Sequence, residues 1–131
     1  MLGSAIGDAI GELAFQYPEK ESLLKQLERM SEFSYTDDTA MAIGLAESII
    51  NSGGLDQHHL GETFRRNFLR EPWRGYASGP PTIFSQVTEL GISYREAAQG
   101  IFGGLGSFGN GAAMRIVPVH PANYKARRPN R

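Results

Sequence analysis

Apolar positions recur along this chain at helical rather than strand spacing. Leu23, Leu24, Leu27 and Met30 fall at i, i+1, i+4 and i+7, one face of a helix. Ser22 is its expected cap, with Glu19 and Glu21 near the positive end of its dipole. Residues 39–51 carry Met41, Ile43, Leu45, Ala46, Ile49 and Ile50, which predicts a second, more buried helix stopped by Gly53 and Gly54. Asp56 caps a third, with Leu60, Phe64 and Phe68 at four-residue spacing, and Pro72 ends it. A loop over residues 71–81 follows. Thr82 then opens a helix with Ile83, Val87 and Leu90 on one face and Gly91 as its stop. Ser93 and Glu96 form a capping box for a helix to Ile101. A last helix is predicted over residues 111–117, closed by Pro118. No stretch sustains a period of two, so the predicted fold class is all-α.

Composition narrows the function classes. With 40% hydrophobic and 21% charged residues, the chain has the mix of a globular domain rather than a disordered one. Thirteen basic residues against fourteen acidic ones give no general argument for nucleic acid or an anionic membrane as partner. The lack of cysteine excludes a disulfide framework and a thiolate metal site. No apolar run approaches the roughly 18 residues of a membrane span. No basic region precedes the first apolar stretch, and Asp8 interrupts it, so no signal peptide is read and the expected location is cytoplasmic. Residues 122–131 hold Lys125, Arg127, Arg128 and Arg131 and no acid. They read as a basic, disordered tail on a domain spanning residues 1–121.

Two acidic segments carry candidate chemistry. In Tyr35-Thr36-Asp37-Asp38-Thr39, adjacent carboxylates flanked by hydroxyls offer hard oxygen ligands of the kind that suit Mg²⁺, Mn²⁺ or Ca²⁺. At a helix start, where the backbone is not yet regular, neighbouring side chains can converge on one ion. The same residues also fit a plain helix start, with Thr36 as cap and Asp37 and Asp38 in the first turn. In Gly7-Asp8-Ala9-Ile10-Gly11-Glu12, the spacing of Gly3, Gly7 and Gly11 makes a smooth helical face on which another element can pack closely. Asp8 within it reads as a capping or network carboxylate, or as support for a metal site.

Glycine is 16 of 131 residues, about 12% against a usual ~7%. Gly104-Leu-Gly106-Ser-Phe-Gly109 fits G-x-G-x-x-G, but no strand precedes it and no acid follows Glu96, so the dinucleotide-fold reading fails. The run Ser107-Phe108-Gly109-Asn110-Gly111 leads into a helix start, whose N–H groups suit phosphate. There Phe108 can stack on a base or ribose, and Asn110 can donate and accept. Gly75-Tyr76-Ala77-Ser78-Gly79 has the same character. Each loop alone also fits an interhelical turn. Together they can hold the two ends of one nucleotide-like ligand.

These segments, with Arg74-Gly75-Tyr76 and Gly111-Ala112-Ala113-Met114-Arg115 before Pro118, resemble the ADP-ribosylglycohydrolase family, in the family's order and over nearly the whole chain. The resemblance implies an all-α fold, a truncated multi-helix orthogonal bundle, and hydrolysis of the bond between the anomeric carbon of ADP-ribose and a protein side chain or small leaving group, at a centre of two Mg²⁺ ions (or Mn²⁺). Thr36, Asp37 and Asp38 match metal ligands. Gly75, Tyr76, Ser78 and Gly79 match the diphosphate loop, and Ser107, Phe108, Gly109, Asn110 and Gly111 the loop on the adenosine and ribose side. Carboxylates would position or deprotonate the attacking water, and Asp38 and Glu12 are the candidates here. Many members carry a Glu where this chain has Phe15, and Glu12 is the nearest acid. Members are also longer, with a second Asp-x-Asp-Thr segment completing the metal centre, whereas no Asp follows Asp56 here.

The expectation is therefore the N-terminal part of such a hydrolase, inactive alone, with apolar faces open to self-association. The alternatives are a non-catalytic ADP-ribose or nucleotide-binding module and a helical bundle whose acidic turn is only a cap.

Overall fold

The computed structural model describes residues 1–119; the basic segment 122–131 and the domain boundary before it lie outside them. The described residues form seven α-helices and one 3₁₀ turn, with no strand among them. The helices are α1 (Leu2–Gln16), α2 (Lys20–Arg29), α3 (Asp37–Ser52), α4 (Gln57–Arg70), α5 (Gly79–Leu90), α6 (Tyr94–Gly100) and α7 (Gly111–Arg115), and the 3₁₀ turn Ile101–Gly104 links the last two.

Helix α3 is the centre. It buries Thr39, Ala40, Met41, Ala42, Gly44, Leu45 and Ser48, more than any other described helix. Its small residues let neighbours come close: a Cβ on Gly44 would lie 2.9 Å from the Phe64 ring of α4. Helices α4 and α7 pack on α3, α1 crosses its start, and α5 and α6 join through α4. A second close approach joins α4 to α6, where a Cβ on Gly61 would collide with the Tyr94 ring. The Tyr94 hydroxyl donates to Glu62 (2.7 Å), and burial together with that carboxylate pushes its pKa up. Between α3 and α4, buried Ser48 shares a 2.8 Å hydrogen bond with His59 Nδ1.

Most helix signals act as read. Thr36 caps α3, Asp56 accepts from the His59 N–H at 2.8 Å, and Ser93 and Glu96 form the reciprocal capping box. Gly53 and Gly91 end their helices in the left-handed conformation. Five readings are corrected. Helix α2 starts at Lys20 after Glu19, so Ser22 lies within it and caps nothing. Helix α5 starts at Gly79 rather than Thr82, because Pro80 and Pro81 are suited to a first turn, where no N–H is needed. Helix α6 stops at Gly100 and α7 at Arg115, short of Ile101 and Val117. Among the described residues, no element packs on the face of Gly3, Gly7 and Gly11: a Cβ on any of them would meet nothing within 4 Å. Gly7 and Gly11 line a cavity instead.

Candidate active site

Two neighbouring cavities share the start of α3. The larger, about 830 Å³, is lined by Asp8, Glu12 and Phe15 of α1, the turn Thr36-Asp37-Asp38, Gly75 and Asn110. The smaller, about 450 Å³, is mainly apolar. Its walls include Phe64, Phe84, Tyr94 and Phe102, together with Ser78, Gly79, Ser107, Gly109, Gly111 and Arg115. Asp37, Asn110 and Met114 line both.

The acidic turn is built by contacts across the fold. Both Asp8 carboxylate oxygens are engaged. One accepts from Thr36 Oγ1 at 2.6 Å, and the other from the Thr36 N–H (2.9 Å), the Thr39 N–H (3.2 Å) and Thr39 Oγ1 (2.6 Å). Asp8 is thus the network carboxylate its setting in α1 suggested, and it caps α3 from another helix. Burial acts upward on its pKa, but these bonds outweigh it and hold the carboxyl below its ordinary value. Asp37 and Asp38 behave oppositely. Burial pushes Asp37 up, Asp38 adds to this, and Arg115 only partly offsets it. Burial and the charge of Asp8 push Asp38 up. Three carboxylates therefore crowd one helix start, with two of them uncomfortable as anions.

That arrangement fits a hard cation. Its donors are all oxygen, and the electrostatic strain on Asp37 and Asp38 is the kind a positive charge relieves. Among the described residues, however, no three His, Cys, Asp or Glu side chains are set to enclose a metal. Thr36 Oγ1 also spends its proton on Asp8 and accepts from the Asp38 N–H at 3.3 Å.

The other candidate residues divide. Glu12 and Gly75 open on the acidic cavity. Gly75 holds φ +82°, a conformation that would strain a residue with a side chain, and lies beside Asp37. Ser78, Gly79, Ser107, Gly109, Asn110 and Gly111 come together around the apolar cavity from two separate loops. Tyr76 lines neither of these cavities. It packs edge-on against Phe68 at 5.1 Å and faces a small polar pocket with Glu47 and Asn67. Phe108 is fully exposed and lines neither. The loop over residues 75–79 also offers fewer amides than its glycines suggest, since Pro80 and Pro81 follow Gly79 directly.

Two residues gain roles that no local spacing announced. Arg74 ties the loop before α5 to the acidic turn. Arg115 lies over the Phe64 ring (5.4 Å), bonds to the Gly111 carbonyl and lines the apolar cavity, where burial lowers its pKa and the charge of Asp37 acts against that. Both stand in recognisable motifs, but only the folded chain shows what they touch.

The fold and cavities define an all-α protein with an acidic cleft opening beside an apolar pocket. The chain belongs to the ADP-ribosylglycohydrolase family, whose model matches residues 1–131. It is 33% identical to ADP-ribosylhydrolase ARH3 of Danio rerio over 90% of this chain and 35% of that protein. It is 31% identical to the human protein of that name over 91% and 37%, and 29% identical to ADP-ribosylarginine hydrolase Tri1 of Pseudomonas putida over 91% and 34%. The chain thus spans about a third of the length of these relatives. No helix among the described residues is long and apolar enough to cross a membrane.

Proposed function

We propose that this chain forms the acidic part of an ADP-ribosyl hydrolase site, which cleaves the glycosidic bond between ADP-ribose and a protein side chain or small leaving group. The observation that carries this reading is the shared wall. Asp37 and Asn110 line both the acidic cleft and the apolar pocket, so one ligand can place a base in the pocket and a ribose at the carboxylates. Thr36, Asp37 and Asp38 would hold Mg²⁺ or Mn²⁺, which when bound supplies a Lewis acid that makes a water nucleophilic near neutral pH. Asp38 and Glu12 would position the attacking water or take its proton, and nearby carboxylates would stabilise the oxocarbenium-like charge of the breaking bond. Ser78, Gly79, Ser107, Gly109 and Gly111 hold the diphosphate and adenosine side. Three side-chain donors do not fill two six-coordinate Mg²⁺ shells, so this chain alone is expected to release no measurable ADP-ribose.

Calorimetry and thermal melting of the 131-residue chain test the reading. Mg²⁺ or Mn²⁺ should raise the Tm and strengthen ADP-ribose binding, and Asp38→Asn should abolish both effects. Binding that is equally tight in EDTA would instead make the chain a non-catalytic ADP-ribose module. Absence of heat at millimolar ADP-ribose, with no response to either cation, would overturn the proposal.

A further inference from the structure

Arg74 makes an unusual set of contacts for a residue outside the acidic turn. Its guanidinium donates through one terminal nitrogen to Ser34 Oγ and to the Tyr35 carbonyl, both at 3.0 Å. The other terminal nitrogen pairs with Glu71 at 2.7 Å. The guanidinium carbon lies 3.9 Å above the centre of the Tyr35 ring. The backbone of the same residue completes the hold, because the Arg74 carbonyl accepts from the Asp37 N–H at 2.7 Å. One residue thus grips three of the four positions 34–37 before and at the start of α3, namely 34, 35 and 37. Only 14% of its side chain is exposed, and the bonds to Tyr35 and Glu71 are part-buried while the one to Ser34 is exposed.

We propose that Arg74 is a positioning residue for the acidic turn. It fixes Tyr35 and the Asp37 backbone so that the Asp37 and Asp38 carboxylates stand at the cavity wall. Asp8 holds the turn from the opposite side through Thr36 and Thr39. The two holds are complementary: Asp8 takes up N–H and hydroxyl donors, while Arg74 supplies donors to a hydroxyl and a carbonyl. The planar guanidinium is essential because two donors and a stacking face are used at once, which an ammonium cannot reproduce. The Arg74 Nε is buried without a partner, so the contacts made by the terminal nitrogens carry the attachment. The consequence for a cation site rests on the reading of Asp37 and Asp38 given above; the hold on the turn does not.

The test uses the full 131-residue chain and two readouts on Arg74→Met and Arg74→Lys. The first is amide hydrogen exchange at Asp37 and Thr39, compared with Thr63 in α4. Both variants should speed exchange in the turn by about tenfold or more, the scale of a lost charge-assisted hydrogen bond, with Thr63 little changed. The second is Mn²⁺ affinity by calorimetry. It should fall about tenfold in both variants, although both leave Asp37 and Asp38 in place. Unchanged exchange in the turn, exchange that rises equally at Thr63, or full rescue of both readouts by lysine would each overturn the proposal. So would Mn²⁺ binding as tight in Arg74→Met as in the parent chain. If the parent chain binds no Mn²⁺ while its turn responds to Arg74→Met, the hold stands and the cation reading fails.

Discussion

The two loops that meet at the candidate site are built on opposite plans. The turn entering α3 is tied across the fold by bonds from residues 28 to 40 positions away: Asp8 on one side and Arg74 on the other. The glycine-rich segment between α6 and α7 is shaped by its own backbone. Phe102, Gly103, Gly104 and Gly106 all take positive φ, and its hydrogen bonds are short-range, such as the Gly109 N–H to Ser107 Oγ at 3.1 Å. Phe102 at φ +55° is the one described non-glycine residue in that conformation. The acidic side is preorganised by tertiary contacts. The glycine side offers a contour but little cross-bracing, so a ligand touching it must supply part of the order.

This contrast can be broken most directly at Asp8. Asp8→Ala removes four hydrogen bonds, two of them from backbone N–H groups at the start of α3. Because the site is partly solvated, about 2–3 kcal/mol of stability should be lost, measurable by urea denaturation. A loss below about 0.5 kcal/mol would mean the turn holds itself. The support beneath the glycine side is Gly61. There, Gly61→Ala should cost about 1–2 kcal/mol, as the collision with Tyr94 outweighs alanine's better helix propensity. Loss of the Tyr94 to Glu62 contact should accompany it, visible as a change in tyrosine absorbance.

The pH response sharpens the comparison. The folded Asp8 carboxyl titrates below its unfolded value, so its stabilisation is complete above the ordinary carboxylate range near ~4 and is lost as the pH falls through the folded pKa. Asp8→Asn should therefore flatten the acid arm of the stability profile. The folded Asp37 and Asp38 carboxyls titrate above their unfolded values, so ionising them costs stability as the pH rises past ~4. Asp38→Asn should make the cation-free chain more stable at neutral pH, and a fall in its Tm would contradict the electrostatic account. The smallest effect is expected at Phe108. With its ring fully exposed, Phe108→Ala should leave stability within about 0.5 kcal/mol. Any loss of ADP-ribose binding in that variant would then report ligand contact rather than folding.

The all-α class, the order of the helices from α2 onward and the caps of α3, α4 and α6 were legible along the chain, because helical spacing and capping chemistry are local. Thr36, Asp56 and the pair Ser93 and Glu96 act within three residues of their own helix starts. The sequence also located the acidic turn and both glycine loops, because crowded carboxylates and bare backbone are visible as composition. The structure alone decided how these pieces meet. It left Gly7 and Gly11 lining a cavity, turned Tyr76 onto Phe68 and left Phe108 exposed. It also made Arg74 and Asp8 joint supports of one turn. Side-chain direction and contacts between distant residues depend on how helices pack. No spacing along a single helix encodes that, since the partner of each residue lies tens of positions away.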